Sequence, residues 1–252
     1  MSCTRTDPAP VEIVEVVDRP PERLSELGDG RAAVWYARPD LWNENWRRTV
    51  MCLLSHDELL RSDRFRYTED RDSWQAAHSL VRLALGHYTG VNPRDLKFAT
   101  GPHGKPEIAP PGSDLRFSLS HTRGFVGCAI SKRALLGFDV EDVMRTLDRG
   151  IAAQCLTEAE TEFVRPDFSD DWRSRFFEIW TLKEAYIKAL GLGLSIPLSG
   201  FEFVRLGADG WSLRSLSNAQ AGSTSWRFFS WCIAGRYRCA LALGIDGILT
   251  AV

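Results

Sequence analysis

The chain has 252 residues, of which 44% are hydrophobic and 25% are charged, and its formal net charge is −2. This length allows one large domain or two small packed units, and the composition is that of a soluble globular protein. The nearly neutral charge excludes a globally basic nucleic-acid binder, although local basic patches can still hold small anions.

The six cysteines are scattered, without a CxxC pair or the spacing of a zinc site. This pattern favours reduced thiols, several of them in the core, over a disulfide framework. No basic N-terminal region precedes an apolar stretch, and no apolar run reaches the ~18 residues that a membrane span needs. We therefore expect a cytoplasmic protein that binds neither membranes nor nucleic acid.

The first thirty residues are rich in proline and acidic residues and contain one alternating apolar run, Val11–Val17. They are expected to form an extension or an edge strand. A strand is predicted at Ala32–Ala37, and a helical zone from Ser55 to Tyr88 with a break near Tyr67–Asp70. The segment 91–108, rich in glycine and proline, is expected to be turn and loop.

Alternation and a high content of β-branched and aromatic residues predict six strands in the rest of the chain. These strands are 115–121, 125–131, 134–141, 201–206, 225–235 and 237–244. A second helical zone, 157–190, lies between the first three strands and the last three. The overall fold class is therefore expected to be α+β.

The two helical zones resemble each other. Leu54–Glu58 and Leu156–Glu160, 102 residues apart, both fit the capping-box pattern, and "ALG" recurs at 84–86 and 189–191, an offset of 105. Either short strings coincide by chance, or the molecule consists of two similar α+β halves related by a pseudo-two-fold axis, with a site at the seam. We expect an N-terminal extension over residues 1–30, a first half over 31–132 and a second half over 133–252.

The segment "WTLKEAYIKALGLGL", residues 180–194, predicts a helix that ends at Gly191 and Gly193. Helical periodicity places Glu184 and Lys188 one turn apart on the same face as Trp180. The pair could form an ordinary i,i+4 salt bridge. A plain solvent face rarely carries tryptophan, however, so our functional hypothesis is that this face forms part of an active site.

The strand segment "GFDVE" contains two closely spaced acids. Asp139 and Glu141 project from one face of a strand, whereas Val140 points to the other. Two carboxylates at this spacing raise each other's pKa unless a cation lies between them, and Mg²⁺ prefers oxygen ligands. The alternative is an exposed acidic strand end. Five scattered histidines disfavour a zinc or iron site.

Two further segments have residues suited to anion binding. The glycine-rich turn at 101–104 can bring backbone N–H groups and Lys105 toward an anion, although Pro106 shows that it is not a P-loop. Ser120 and His121 lie where a strand enters a turn and can hydrogen-bond a phosphate. A nucleophilic Ser–His pair is disfavoured, because adjacent strand residues face opposite ways.

In their order and spacing, these segments resemble the surfactin-synthetase-activating type of 4′-phosphopantetheinyl transferase, from about Leu54 to Gly244. "GFDVE" and "WTLKEAYIKALGLGL" are the most specific parts. The resemblance implies a pseudo-dimer of two α+β halves with the active site at the seam, and a monomer in solution. It also implies transfer of the phosphopantetheine arm of coenzyme A, the co-substrate, to a serine of an apo acyl or peptidyl carrier protein, with release of 3′,5′-ADP. Such carriers serve fatty-acid, polyketide and nonribosomal-peptide synthesis.

The resemblance also implies a role for each matching residue. The expected Mg²⁺ ligands, with Mn²⁺ as an alternative ion, are Asp139, Glu141 and Glu184. The expected catalytic residues are Glu184, which helps to deprotonate the carrier serine unless an ion-bound water does so, and Lys188, which neutralises or protonates the leaving group. The expected coenzyme-binding residues are Arg61, Lys105, Ser120, His121 and Lys183. Glu160 matches an acidic position near the metal in some members.

Two features depart from the family pattern or from symmetry. Relatives usually have asparagine where this chain has Ser118, and shifting Glu184 back by 105 residues gives Ser79, so only one metal site is expected. Two other functions were weighed: an inactive carrier-binding module on the same fold, and a Mg²⁺-dependent nucleotide phosphohydrolase. The presence of all three acids disfavours the module, and the aromatic helix face disfavours the phosphohydrolase.

Overall fold

The structure is a computed structural model that describes residues 10–21, 24–101, 104–110, 113–147, 150, 154–165, 172–193, 196–207, 210–216 and 224–246. The proline-rich start of the chain, residues 1–9, lies outside this set. The described residues form a mixed α+β fold in which two larger β-sheets are each covered by a long helix. No described helix combines the length and the apolar character needed to cross a membrane.

The described helices are α1 Glu44–Met51, α2 His56–Ser62, α3 Thr68–Thr89, α4 Glu158–Val164 and α5 Trp172–Leu190. The described strands are β1 Val11–Glu15, β2 Ala32–Ala37, β3 Lys97–Thr100, β4 Pro106–Ala109, β5 Leu115–Thr122, β6 Phe125–Lys132, β7 Leu135–Asp142, β8 Phe201–Leu206, β9 Gly210–Ser215, β10 Thr224–Ile233 and β11 Tyr237–Asp246. The larger sheets have the orders β1-β2-β6-β5 and β10-β11-β7, and β3-β4 and β8-β9 are separate hairpins.

The first sheet is covered by α3. The strand β2 is an almost continuous apolar run, as expected of a strand buried on both faces, and Trp35 in it is fully buried. Leu80 and Leu85 of α3 are buried in the same core. The run predicted near the N-terminus is indeed an edge strand: β1 pairs in parallel with β2, and Val14 and Val16 enter the core.

The second sheet is covered by α5, which packs on β7 and β11. Its core joins Phe176 and Leu182 of α5 to Phe203 of β8, Phe228 of β10 and Ala240 of β11. Strand β5 of the first sheet lies against β7 of the second, where the Ser118 hydroxyl accepts a hydrogen bond from the Phe138 amide at 3.0 Å. The hydroxyl at the unexpected serine position thus joins the two sheets.

The two predicted capping boxes are both formed, each at the start of a short helix. Each box also holds a basic side chain from the following long helix: Arg82 bonds Glu58 at 2.7 Å, and Lys183 bonds Glu160 at 2.6 Å. Each of these cations also donates to backbone carbonyls that follow its helix, including those of Leu96 and Phe201, respectively. The same buried arrangement therefore occurs once in each half of the chain.

The ends of the long helices correct one predicted correspondence. Helix α3 ends at Gly90 with φ 69°, and α5 ends at Gly191 with φ 68°, both left-handed and 101 residues apart. Gly86 lies inside α3 against Pro93, so the match of the two "ALG" strings is displaced by one helical turn. The residue that corresponds to Glu184 is then Leu83, not Ser79, and it is also not acidic.

Several elements differ from the sequence-based expectation. Helix α1 and strand β9 were not predicted, and the segment expected to be loop contains the hairpin β3-β4. The first helical zone breaks at residues 63–67, close to the predicted position. The second zone contains two helices, α4 and α5, and residues 166–171 between them lie outside the described set. Three of the described cysteines, Cys128, Cys155 and Cys239, are buried, as expected.

Candidate active site

The site begins with the close approach of α5 to β7. A Cβ atom added to Gly137 would overlap the backbone oxygen of Ala185 and the backbone nitrogen of Ala189. Only glycine allows the helix to lie this close to the strand. This contact places the Glu184 and Lys188 side chains beside the carboxylate of Asp139.

Asp139 is the centre of a buried polar cluster. Its Oδ1 accepts hydrogen bonds from Lys188 Nζ at 2.7 Å and from Ser120 Oγ at 2.8 Å, and Lys188 Nζ also contacts Ser120 Oγ at 2.9 Å. Asp139 is only 5% exposed. Its second oxygen, Oδ2, is buried and has no hydrogen-bond partner among the described residues. An unpartnered carboxylate oxygen is costly to bury, so this atom is suited to receive a cation.

Glu141, on the same face of β7, is held by two partners. Trp180 Nε1 donates to its Oε1 at 3.1 Å, and Arg145 Nε lies 3.1 Å from its Oε2. Burial, followed by the negative charge of Asp139, raises the pKa of Glu141 to about 7. The Asp139 charge thus opposes the ionisation of Glu141 in this partly dry site.

Glu184 contributes the third carboxylate, from α5. Burial and then the charge of Asp139 raise the pKa of Glu184, whereas Lys188 opposes this shift. The side chain lines a groove of about 290 Å³ together with Lys105 and Lys188. The walls of this groove come from both the first and the second sheet regions, because Phe117 of β5 also lines it.

The three acids meet the chemical requirements of a divalent cation site. They supply only oxygen donors, two of them have raised pKa values, and one buried oxygen lacks a partner. Among the described side chains, no group of three or more His, Cys, Asp or Glu is arranged to hold a metal ion as it stands. This agrees with the engagement of both Glu141 oxygens by Trp180 and Arg145.

Lys105 lies at the other side of the small groove. Its Nζ donates to the carbonyls of Leu136 at 3.0 Å and Lys188 at 2.7 Å, which leaves a third hydrogen for a ligand. Burial, and then the nearby Arg116 cation, lower the pKa of Lys105 to about 8. The lysine therefore ties the end of α5 to β7 and still offers a positive charge to the groove.

A larger groove of about 640 Å³ continues from the small one, and both share Pro106, Phe117 and Leu119 as walls. Arg61 lines it at its exposed end, with its guanidinium 5.7 Å from the centre of the Trp74 ring. The other basic residues that line this groove are Arg82, Arg94 and Lys97. The two grooves together form one cleft in which basic side chains outnumber the acidic ones, which in the larger groove are Asp57, Glu58 and Asp95.

Ser120 and His121 are brought to the same region but differ in their surroundings. The Ser120 hydroxyl is committed to Asp139 and Lys188. Desolvation, and then the Lys188 cation, lower the pKa of His121, although the residue is exposed. Ser120 thus orients Asp139 in this structure, a contact that the sequence did not predict.

The expectation that Lys183 binds the coenzyme is contradicted. Lys183 is 1% exposed, and its Nζ bonds Glu160 Oε2 at 2.6 Å and the carbonyls of Leu198 and Phe201 at 2.6 and 2.9 Å. All three hydrogens of the ammonium are thereby used. The next residue, Glu184, points about 100° away around the helix, toward the cleft.

Glu160 has a purely structural environment as well. It is 1% exposed and accepts hydrogen bonds from the amides of Thr157 and Phe203, each at 2.9 Å, in addition to its pair with Lys183. Its oxygens therefore have partners within the second core. Its position does not support a role near the metal.

Four contributors to the site were not assigned a role from the sequence: Gly137, Trp180, Arg145 and Ser118. A glycine inside a strand of large apolar residues is a recognisable signal of close backbone approach, so Gly137 could have been found. Arg145 lies beyond the end of β7, where no regular periodicity relates its side chain to Glu141. Its contact follows only from the folded path of the chain.

Comparisons with known proteins find similar proteins of one family. The model of the 4′-phosphopantetheinyl transferase superfamily matches residues 135–242, which include β7 and α5. The 4′-phosphopantetheinyl transferase HetI of Nostoc sp. (strain PCC 7120) is 34% identical over 69% of this chain and 77% of its own length. The 4′-phosphopantetheinyl transferase Sfp of Bacillus subtilis (strain 168) is 30% identical over 70% of this chain and 76% of its own. This chain belongs to the 4′-phosphopantetheinyl transferase superfamily.

Proposed function

We propose that this chain transfers the 4′-phosphopantetheine arm of coenzyme A to a serine hydroxyl of an apo carrier protein, giving the holo carrier and 3′,5′-ADP. The reaction class follows from the family, whose named members are 4′-phosphopantetheinyl transferases. The observation that carries the proposal is the Asp139–Lys188 pair, with a free carboxylate oxygen at Asp139, beside a cationic cleft.

The coenzyme is a polyanion that fits the charge of this cleft. We place its diphosphate in the small groove, near Lys105 and Lys188, and its 3′-phosphate and adenosine end toward Arg61 in the larger groove. The support is the continuity of the two grooves and their basic lining. His121, close to Lys188, adds a further hydrogen-bonding group.

Asp139, Glu141 and Glu184 would hold Mg²⁺, or Mn²⁺ in its place. The support is the unpartnered Asp139 oxygen and the raised pKa values of both glutamates. When bound there, the ion supplies positive charge that offsets the negative charge developing on the diphosphate during transfer. Lys188, now paired with Asp139, would then be free to turn toward the phosphates.

In the transfer step, the serine oxygen forms a bond to the phosphorus that carries pantetheine, and the phosphoanhydride bond to 3′,5′-ADP breaks. The hydroxyl proton needs an acceptor, and Glu184 lines the groove with a raised pKa. Lys188 places a positive charge beside the departing phosphate. Lys105 and Arg61 bind and orient the coenzyme without exchanging protons with it.

We further propose that residues 31–132 and 133–252 are two similar halves, after an extension over residues 1–30, with the cleft at their seam. The support is a shared order of elements: a capped short helix, a long helix ended by glycine, a hairpin, and three antiparallel strands ordered β2-β6-β5 and β7-β11-β10. A monomer and a cytoplasmic location remain predictions.

The test is to incubate the protein with coenzyme A, Mg²⁺ and apo carrier domains from fatty-acid, polyketide and nonribosomal-peptide synthesis, and to weigh the carrier by mass spectrometry. A gain of one phosphopantetheine that requires all components supports the proposal. Binding of the carrier without modification would select an inactive carrier-binding module. Breakdown of coenzyme A without any carrier would select a phosphohydrolase. Asp139→Asn is the matched variant expected to lose transfer.

A further inference from the structure

Arg145 pairs with Glu141 from the segment that follows β7, whereas the cationic partner of Asp139 is Lys188 of α5. Its Nε lies 3.1 Å from Glu141 Oε2, and its guanidinium lies over the Phe177 ring at 5.3 Å from the ring centre. Arg173 of α5 donates to the carbonyls of Val143 and Arg145 and so anchors the backbone of this segment to the helix. The Arg145 side chain is therefore held against the site by packing and by its backbone.

Asp139 and Glu141 differ in whether they have a carboxylate oxygen without a hydrogen-bond or ion-pair partner. Asp139 keeps one free oxygen. Glu141 has none free, because Trp180 holds Oε1 and Arg145 holds Oε2. Trp180 is neutral, so its N–H can coexist with a metal on the other oxygen of the same carboxylate. The Arg145 cation already uses one lone pair of Oε2, and its positive charge repels a divalent ion that approaches the same atom.

We propose that Arg145 competes with the divalent cation for Glu141 and thereby sets the metal affinity of the site. The inference rests on the proposed function, because it takes Asp139, Glu141 and Glu184 as the metal ligands. Arg145 touches neither coenzyme nor carrier in this role and acts only through Glu141. Binding of the ion should weaken the Arg145–Glu141 pair, and release of the ion should restore it.

The size of the effect follows from the exposure of the pair. The Arg145 side chain is 40% exposed and that of Glu141 16%, so the pair is intermediate between a surface and a buried salt bridge. Removing the guanidinium should tighten metal binding by roughly three- to tenfold, through the lost competition and the lost charge repulsion. Arg145→Met keeps an unbranched stem over Phe177 while removing the charge. Arg145→Lys keeps the charge and should remain close to the unchanged protein.

The experiment titrates the full-length protein with Mn²⁺ alone and measures free Mn²⁺ by electron paramagnetic resonance. Arg48→Met is the matched control, because Arg48 also pairs with a glutamate four residues away, Glu44, at 3.0 Å on the exposed surface. Thermal unfolding of each variant in a metal chelator shows whether the fold is intact. Glu141→Gln supplies the second test: combined with Arg145→Met, it should remove the gain in affinity.

A tighter Mn²⁺ dissociation constant for Arg145→Met, with Arg145→Lys and Arg48→Met unchanged, supports the inference. Unchanged or weaker Mn²⁺ binding by a folded Arg145→Met protein overturns the inference but does not contradict the proposed metal site. If the unaltered protein binds no Mn²⁺ with or without coenzyme A, the proposed metal site is wrong, and the inference about Arg145 is wrong with it. A gain that persists in the Glu141→Gln background also overturns the inference, because the effect would then not pass through that carboxylate.

Discussion

Gly137 lies directly against Ala185, strand backbone to helix backbone, with no room for a methyl group between them. This contact sets the distance between β7, which carries Asp139 and Glu141, and α5, which carries Glu184 and Lys188. The acidic cluster therefore depends on a residue that has no functional group. The relationship leads to the first of four predictions.

Gly137→Ala should push α5 away from β7 and separate Glu184 from Asp139. We expect a loss of about 1–3 kcal/mol in the free energy of unfolding, which is typical of overpacking, and a much larger relative loss of transfer activity. Chemical denaturation and the carrier-modification assay measure the two effects. Gly200→Ala is the control, because an added Cβ there meets nothing within 4 Å. Near-normal activity of Gly137→Ala would show that the close approach is dispensable.

Glu184→Gln should abolish transfer and stabilise the metal-free protein. The pKa of Glu184 is raised in the folded state, so its ionised form lowers stability at neutral pH, and a neutral isostere removes that cost. The stabilisation should fade as the pH falls and the carboxylate becomes protonated. Urea unfolding in a chelator at neutral and at acidic pH measures this change. A destabilised Glu184→Gln protein would contradict the repulsion between Glu184 and Asp139.

Two lysines of α5 should respond in opposite ways to the same substitution. Lys183→Met leaves the buried Glu160 charge without its partner, so we expect about 3–5 kcal/mol of lost stability. The KM for coenzyme A should be unchanged in the fraction that remains folded. Lys188→Met should cost less stability, because the Lys188 side chain is partly exposed and Ser120 still donates to Asp139, but it should strongly lower kcat. A raised KM in folded Lys183→Met protein would restore that residue to the coenzyme site.

Coenzyme binding should weaken as the pH rises through about 8, where burial places the pKa of Lys105. Below this pH the ammonium is charged and attracts phosphate, and above it the neutral amine does not. The measurement is the KM for coenzyme A as a function of pH. Lys105→Arg, which stays charged, should move the rise in KM to higher pH. An identical pH profile for both proteins would remove Lys105 from the phosphate-binding role.

Much of the fold was predictable because its signals are local. The capping boxes at Ser55 and Thr157, the alternation in β5 to β8, and the glycine at the end of α5 each depend on a few neighbouring residues. The hairpin β3-β4 was missed because each strand has only four residues and the segment between them is rich in glycine. The two "ALG" strings also differ in their setting, because Gly86 lies inside α3 and Gly191 ends α5, and a three-letter match cannot distinguish the two.

In the candidate site, too, the features that depend on local spacing were predictable and the others were not. The spacing of Asp139 and Glu141 on one strand face, and of Glu184 and Lys188 on one helix face, follows from the periodicity of each element. The assignment of Lys183 to the coenzyme failed because both α5 lysines look alike in the sequence. Their environments differ because they lie on different sides of the helix. Lys183 lies on the side that packs on the core containing β8, and Lys188 lies on the side that faces the cleft.

The amino-acid sequence alone determined the family, the α+β class and the acidic and basic residues that the chemistry requires, because these depend on residue type and short-range spacing. Only the tertiary structure decided which charges meet. It buried Lys183 with Glu160, joined Ser120 and Lys188 to Asp139, and brought Arg145 to Glu141. The pairings of Lys183 and Lys188 arise from contacts between distant segments, above all the approach of α5 to Gly137. The pairing of Arg145 arises from the irregular turn that follows β7, so no regular periodicity encodes it.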